Sequence, residues 1–388
     1  MPNSVKQKII VGMAVGFCWF SLFSYLPILP GYARAMGASY ELIGMIMGAY
    51  GLTQILFRFP LGIISDRLGK RKIFVIIGLI LCVISSIGMF FSTNPHWLLV
   101  FRAVSGIAAT TWVVHTILFA ASYATSESGR AMGIVNSISN MGQMLATLTG
   151  GLVAYMWGDS HAFLLGAVGG AIGLVFSFGI AEQNRNTRET LTLAGLIELG
   201  RDRHLVLVSA LAFLLQIIVY STIYGFIPLA AKKIGATNID LGLLPTLFML
   251  PGIFASLASG VLFTRWFGSK NTIIAGFVIM STSVLVIPSI QNLTLLYISQ
   301  IAGGFGQGMT FPLLLELGIK HVDHGKRATA MGYLQAMYGI GMFLGPVIVG
   351  VLSDRFGLDW GFWTIGIIGL FGIIITGQLF SLPDKKQR

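Results

Sequence analysis

The feature that most constrains this chain is a series of long apolar runs, most of them about 20 residues long, separated mostly by short loops. Only 10% of the 388 residues are charged and 55% are hydrophobic, whereas a soluble domain carries roughly 25% charged residues. Apolar runs of about 20 residues are typical of helices that cross a bilayer. In hydrocarbon the backbone must satisfy its own hydrogen bonds, and the short alternating segments of a membrane barrel do not occur here. The sequence therefore predicts an all-α membrane protein.

We number the predicted spans 1 to 12 in chain order and keep these numbers below. Their predicted bounds are 9–30, 41–64, 73–92, 97–120, 131–155, 161–181, 205–230, 241–263, 272–289, 294–318, 328–352 and 360–382. The segment 182–204 is polar, charged and central. It predicts a cytoplasmic linker between an N-terminal six-helix bundle, 1–181, and a C-terminal six-helix bundle, 205–388.

The charge distribution predicts the orientation, because lysine and arginine collect in cytoplasmic loops. With the N-terminus inside, 19 of the 25 Lys and Arg residues fall in inside loops and tails, four fall outside, and two lie within spans. The chain is therefore expected in the cell membrane, multi-pass, with both termini cytoplasmic. The sequence pI near 9.8 does not indicate a nucleic-acid partner, because the positive charge lies in loops between spans. Cys18 and Cys82 lie in apolar runs and indicate core residues, not a disulfide or metal site.

The two halves of the chain resemble each other at an offset near 198 residues. YLPILPGYARAMGA (25–38) matches IYGFIPLAAKKIGA (223–236), and MGIVNSISNMGQMLATLTGG (132–151) matches MGYLQAMYGIGMFLGPVIVG (331–350). Repeats of this kind are typical of transporters whose substrate site lies near the bilayer midplane, at the interface of the repeats.

The loop after span 2 reads GIISDRLGKRK (62–72) and concentrates charge in an otherwise apolar region. It resembles the signature G-x-x-x-D-R-x-G-R-[KR] of the major facilitator superfamily, at Gly62, Asp66, Arg67, Gly69, Lys70 and Arg71. The resemblance covers nearly the whole chain and points to the twelve-helix drug:proton antiporter branch. It implies a monomeric alternating-access transporter in two pseudo-symmetric halves, which is not an enzyme and needs no cofactor.

The resemblance also implies that this loop is a cytoplasmic gate. Asp66 would face the N-terminus of span 11, where the helix dipole favours negative charge. The three cations that follow would pair with acidic groups across the seam between the halves. Gly62 would allow span 2 to approach a neighbour closely, and Thr264 at the position equivalent to Asp66 predicts an asymmetric gate. The alternative is a basic loop that only fixes topology.

Two arginines, a histidine and a glutamate lie well inside predicted spans, where charge is a functional candidate by default. Arg102, in RAVSG, resembles the helix-4 motif R-x-x-x-G of the antiporters; it would meet the solute, serve coupling, or hold span 1 through a backbone carbonyl. His115 can titrate near neutral pH and is a coupling candidate or a packing histidine. Glu316 is a coupling candidate or an ion-pair partner at the inner end of span 10. Arg58 is expected to extend toward the inner membrane surface.

Amide and tyrosine side chains form stripes along several spans. Amides that face lipid are costly, so these stripes should face a cavity or another helix. A cavity of amides and aromatic rings suits a moderately polar organic solute, whereas the alternative is hydrogen bonding between helices. The candidate substrate-binding residues are Arg102, Asn136, Asn140, Gln143, Gln216, Tyr220, Tyr224, Gln300 and Gln307.

The sequence therefore predicts proton-coupled export of a small organic compound, anionic or zwitterionic because of Arg102. The antiporter pattern G-x-x-x-G-P-x-x-G-G of helix 5 is incomplete in span 5, where Ala146 and Thr147 replace its central Gly and Pro. Two alternatives stay open: an importer or facilitator of an organic anion, and a lipid translocator, which would need a lateral apolar groove.

Overall fold

The computed structural model describes residues 5–124, 127–182, 200–320, 322–323 and 326–382, and the statements below concern these residues. The predicted linker lies mostly outside them, since 183–199 is not described. The helical segments of spans 1 to 6 are Val5–Phe23 with Leu29–Ala35, Tyr40–Leu68, Arg71–Phe90, Pro95–Thr110 with Trp112–Ala120, Ser128–Trp157 and His161–Phe178. Those of spans 7 to 12 are Arg203–Ser221 with Thr222–Phe226 and Ile227–Lys233, Asn238–Ala258 with Ser259–Phe263, Thr264–Leu285, Leu293–Lys320, Arg327–Phe356 and Leu358–Phe380.

Ten of these helical segments are long and apolar enough to cross a membrane by length and composition. The two long helices outside that set are Ser128–Trp157 and Leu293–Lys320. They are spans 5 and 10, which carry two of the predicted amide stripes. The helices of spans 2, 5, 10 and 11 extend beyond the predicted apolar runs at both ends, because helical hydrogen bonding continues past the apolar residues.

The helix ends confirm the internal repeat. Six glycines have a positive φ in the described residues, and they form three pairs: Gly37 with Gly235, Gly69 with Gly268, and Gly158 with Gly357. The members of each pair lie at an offset near 198 residues, as the sequence match predicts. Glycine adopts this left-handed conformation at little steric cost, so it ends the helix at equivalent points of both halves. Gly268 marks the boundary between spans 8 and 9 within Thr264–Leu285.

Spans 1 and 7 are interrupted at equivalent positions, whereas the sequence predicted a continuous helix in each. The first helix of span 1 ends at Phe23 and a second begins at Leu29, with Pro27 and Pro30 around the break. In span 7 a wide helical turn, Thr222–Phe226, precedes Pro228. Proline lacks the N–H of a regular helix and its ring displaces the preceding turn, which accounts for both interruptions.

The first compact unit contains Met1–Ala38, Leu52–Thr190 and Thr237–Leu243. Spans 1 and 5 cross closely within it: a Cβ on Gly142 would lie 2.5 Å from the carbonyl oxygen of Gly16. Cys18 and Cys82 are buried, free thiols whose sulfur atoms lie 3.8 Å apart. This unit is therefore held by close helix contacts through small residues.

The second compact unit contains Ser39–Gly51, Leu191–Ala236 and Leu244–Arg388. In it the first half of span 2 packs on span 11, and a Cβ on Gly48 would lie 2.7 Å from the carbonyl oxygen of Phe343. The close approach of span 2 thus uses its first half. Nothing lies within 4 Å of a Cβ on Gly62 among the described residues, and its role in a close helix approach at the gate stays a prediction. The division into bundles at 181 and 205 stays a prediction.

Candidate functional site

Arg102 lies at the centre of a buried polar cluster in the first unit. Its side chain is 1% exposed, Nη1 donates to Ser105 Oγ at 3.3 Å, and the guanidinium carbon lies 6.0 Å from the centre of the Tyr25 ring. Tyr25 lies at the break in span 1 and is fully buried. Arg102 therefore contacts span 1 through an aromatic ring, while keeping a permanent positive charge inside a membrane span.

His115 is buried beside the interruption of span 4. Its Nδ1 lies 2.9 Å from the carbonyl oxygen of Thr111, one helical turn earlier. Its Nε2 is buried and has no hydrogen-bond partner among the described residues. The imidazole therefore has one nitrogen held by the backbone and one nitrogen whose hydrogen-bonding capacity the protein does not use.

The amide stripe of span 5 is less uniform than its spacing suggested. Asn136 is exposed and donates to the carbonyl oxygen of Met132 at 2.9 Å, so part of its capacity is used within its own helix. Asn140 and Gln143 are half-buried, and neither amide hydrogen-bonds another described residue. These two residues are therefore the most available amides of the stripe.

In the second unit three tyrosines form a column next to the wide turn of span 7. The ring of Tyr220 stacks on Tyr50 with 6.2 Å between centroids and an angle of 17°, and it lies 5.3 Å from the ring of Tyr224. Tyr224 lies within the turn itself, and such turns are frequent at functional sites. Gln216, one turn before Tyr220, is buried with its Oε1 unbonded in the described residues.

The polar residues of span 10 differ in their burial and in their hydrogen bonding. Gln300 is 3% exposed, donates to Ser299 Oγ at 3.0 Å and borders a cavity of only about 10 Å³. Gln307 is half-buried without a hydrogen bond to a described residue. Glu316 is exposed and makes no ion pair with a described residue. Gln300 is thus held against its neighbours, whereas Gln307 keeps a free amide.

The loop after span 2 is organised within the first unit. Gly69 has φ +63° and ends span 2, and the backbone N–H groups of Arg71 and Lys72 donate to the Glu182 carboxylate at 2.7 and 3.2 Å. Glu182 thereby satisfies the free donors at the start of span 3. Arg71 is buried, whereas Arg67 and Lys70 are exposed. The side chain of Asp66 lies outside the described part of the structure, so its gate role stays a prediction.

Arg58 does not extend toward the inner surface as predicted. Its Nη2 donates to Gln54 Oε1 at 2.8 Å, one turn back along span 2. The equivalent of Asp66 in the second half, Thr264, donates its hydroxyl to the carbonyl oxygen of Gly260 in its own helix at 2.7 Å.

A charged contact that the sequence did not predict lies at the end of span 11. The carboxylate of Asp354 accepts hydrogen bonds from the backbone N–H of Tyr40 at 2.9 Å and of Glu41 at 2.7 Å. These donors belong to the first turn of span 2, so Asp354 caps that helix. The sequence contains a pattern that could have indicated this residue, because SDRFG (353–357) repeats SDRLG (65–69) with one change. We call this contact the Asp354 latch.

A related contact occurs in the first unit. Asp159 follows the glycine that ends span 5, and its Oδ1 accepts from Asn238 Nδ2 at 2.7 Å. Asn238 is the first residue of span 8. In each unit, therefore, a carboxylate at or just beyond the end of one long helix holds the beginning of another.

Comparison with known proteins gives a consistent result. The model of the Major Facilitator Superfamily matches residues 11–230 and 209–388. Similar relatives include an uncharacterized MFS-type transporter of Methanocaldococcus jannaschii (25% identity over 86% of this chain and 87% of the relative). They also include the class B tetracycline resistance protein of Escherichia coli, which is 24% identical over 100% of this chain and 98% of the relative. A third is the proton-coupled antiporter flippase LtaA of Staphylococcus saprophyticus, which is 22% identical over 100% of this chain and 97% of the relative.

Solved structures share the fold. A variant of the nucleoside transporter NupG gives a TM-score of 0.82 at 15% identity over 97% of this chain and all of that one. A bacterial homologue of the human lysosomal transporter Spinster, in an inward-facing and occupied conformation, gives a TM-score of 0.81 at 14% identity. The match covers 98% of this chain and 97% of that one. At these identities the likeness concerns the fold of twelve helices in two pseudo-symmetric halves. With the family match over both halves, it shows that the chain belongs to the Major Facilitator Superfamily of membrane transporters.

Proposed function

We propose that the protein exports a small, moderately polar organic compound with an anionic or zwitterionic group, in exchange for protons. The observation that carries the proposal is that four amides inside spans have hydrogen-bonding atoms without a partner among the described residues: Asn140 and Gln143 in the first unit, Gln216 and Gln307 in the second. A buried polar atom without a partner costs about 1–3 kcal/mol. A solute that hydrogen-bonds Gln216, whose Oε1 is buried, would offset that cost, which supports a carrier for a polar organic compound.

The aromatic and charged groups support the same solute chemistry. The Tyr50–Tyr220–Tyr224 column offers flat apolar surface with polar edges. Arg102 places a permanent positive charge inside span 4, which favours a solute with a carboxylate or phosphate over a pure cation. Two of the similar relatives are named for tetracycline resistance and for proton-coupled antiport, which supports export by exchange.

We assign the coupled proton first to His115. Of the three coupling candidates, it combines burial with an unused ring nitrogen. Glu316 is exposed, so it lacks the burial that distinguishes His115. Arg102 would act on coupling through its positive charge.

The experiment is transport into proteoliposomes under an imposed pH gradient. With the interior acidified, tetracycline, a zwitterion with several rings, should accumulate as protons leave, whereas the lipophilic cation ethidium should not. Accumulation of ethidium alone would contradict the solute assignment. Accumulation of an organic anion only with protons entering would favour the importer, and equilibration of the anion without accumulation and without any pH gradient would favour the facilitator. Arg102→Gln should reduce accumulation of the anionic or zwitterionic compound while the folded protein is retained.

A further inference from the structure

An open apolar groove of about 620 Å³ lies between spans 1 and 5 in the first unit. Gly12 and Gly16 lie along it on span 1, between the larger side chains Met13, Phe17 and Phe20. Ile134, Ile138, Met141 and Leu145 line it on span 5. We call this surface the span 1–5 groove.

The groove is separate from the amide stripe that we assign to the solute. At about 100° per residue, the four large span 5 side chains of the groove lie roughly 200° around the helix from Asn140, Gln143 and Thr147; Gly142, which also lines it, has no side chain. Met141 and Leu145 are 58% and 51% exposed, as expected for side chains that face hydrocarbon. The groove therefore opens on the outer, apolar side of span 5.

One end of the groove carries a fixed positive charge. Lys8 lines that end, and its Nζ lies 3.8 Å from the centre of the Tyr123 ring, which also lines the groove. This cation–π contact holds the ammonium in place. Lys8 makes no ion pair with a described residue, whereas nearby Arg130 is paired with Glu127 at 3.1 Å. Among the described residues that line the groove, Lys8 is therefore the one charged side chain.

The dimensions match one leaflet of a bilayer. From Val5 to Phe20 the groove follows about 22 Å of helix, compared with about 15 Å for the hydrocarbon of one leaflet and a few ångströms more for the interface. With the cytoplasmic N-terminus predicted from the charge bias, Lys8 lies at the inner interface, where anionic lipids are found.

We propose that the span 1–5 groove binds an anionic membrane glycerolipid, with an acyl chain along the groove and its phosphate against Lys8. Charge complementarity selects this occupant, because the apolar walls accept any acyl chain and the single unpaired cation distinguishes an anionic headgroup from a zwitterionic one. The site concerns a lipid bound at the outer surface of span 5 and is independent of the exported solute.

The test is photo-crosslinking of the full chain in liposomes of phosphatidylethanolamine. Two liposome preparations are compared, each with the same small fraction of a probe lipid that carries a diazirine in its acyl chain. The probe is phosphatidylglycerol in one preparation and phosphatidylcholine in the other. Peptides from Val5–Phe23 and Ser128–Trp157 should be labelled about fivefold more by the phosphatidylglycerol probe. That ratio corresponds to the roughly 1 kcal/mol of one lysine at an anionic surface.

Two pairs of variants make the test specific. Lys8→Gln should reduce the phosphatidylglycerol labelling to the phosphatidylcholine level, whereas Lys6→Gln, the same charge change two residues away and outside the groove, should not. Met13→Trp fills the groove and should remove labelling by both probes. Val175→Trp, at a 71% exposed residue of span 6 outside the groove, should leave labelling unchanged.

Equal labelling by both probes in the unchanged protein would overturn the proposal. Equal effects of Lys6→Gln and Lys8→Gln would also overturn it, by showing general surface attraction. Labelling that persists in Met13→Trp would place the acyl chain elsewhere. Because crosslinking does not measure transport, failure of the export proposal would leave this result unchanged.

Discussion

Replacing Asp354 with Asn should weaken the hold of span 11 on the beginning of span 2. The first turn of a helix has N–H groups without partners inside the helix. In span 2 they are satisfied in three ways: Tyr40 and Glu41 donate to Asp354, Leu42 donates to Ser39 Oγ at 3.1 Å, and Ile43 donates to the Ser39 carbonyl oxygen. Asp354 thus accepts two of the donors and adds its charge at the positive end of the helix dipole.

The magnitude follows from the geometry. Loss of a capping side chain costs about 0.5–2 kcal/mol, and a charge at an exposed helix end contributes about 0.3–1 kcal/mol. Asn keeps one oxygen acceptor, and these hydrogen bonds are exposed to solvent, so we expect about 1 kcal/mol for Asp354→Asn. That energy corresponds to a roughly fivefold increase in the population in which the Asp354 latch is open. Asp354→Ala should have a larger effect.

A cysteine at Val347 reports the opening. Val347 is half-buried, and its side chain would contact a Cβ on Gly48 of span 2 at 3.3 Å. In a background with both native cysteines replaced by Ala, a membrane-impermeant maleimide should label Val347→Cys about fivefold faster when Asp354 is Asn. Asp359→Asn is the matched control, because it removes the same charge nearby without breaking a hydrogen bond to span 2. If both variants changed the labelling rate equally, or neither changed it, the latch would not hold span 2.

Four further predictions concern the gate, the charge, the proton and the topology. Asp66→Asn should shift the population toward inward-facing states by about 0.3–2 kcal/mol, measured as faster labelling of inner-side cysteines with expression intact. Arg102→Lys keeps the charge but loses the planar fork and should weaken solute binding less than Arg102→Gln; failure of both to fold would show a structural role. His115→Gln should remove the dependence of transport on the pH gradient while solute exchange continues, and unchanged dependence would exclude His115 as the proton site. A C-terminal phosphatase fusion should be inactive, and activity would contradict the cytoplasmic C-terminus.

The helices were predictable because a bilayer imposes simple requirements. Every apolar run longer than about 17 residues had to become helical to satisfy its backbone, so all twelve spans were found. Their ends were harder, because helices continue past hydrocarbon until a residue such as Gly69 or Gly357 turns the chain. The break near Pro27 and the wide turn before Pro228 were also missed, since hydropathy does not register a missing hydrogen bond.

The candidate site was less predictable, because spacing along a helix does not specify what the neighbouring helices present. Gln300 and Gln307 share a predicted face of span 10. Gln300 nevertheless hydrogen-bonds Ser299, whereas Gln307 has no hydrogen bond to a described residue. Likewise the motif directs attention to Gly62, whereas the close contacts of span 2 seen in the second unit are made by Gly44, Gly48 and Gly51. Asp354 was counted with a loop, although the repeated SDRFG segment carried the information.

The distribution of carboxylates at the helix ends suggests how strongly each state of the transporter is held. Asp159 and Asp354 each bond the first turn of another helix at 2.7–2.9 Å, while the position equivalent to Asp66 in the second half is a threonine bonded to its own helix. An alternating-access carrier needs both states within reach, and reversing a 1:99 population takes about 5.5 kcal/mol of differential binding. Contacts worth about 1 kcal/mol each bias such an equilibrium without fixing it. Asp66, if it caps the beginning of span 11 as predicted, would add one more contact of this kind. The binding of a solute or a proton would then need to supply only a few kcal/mol to release them.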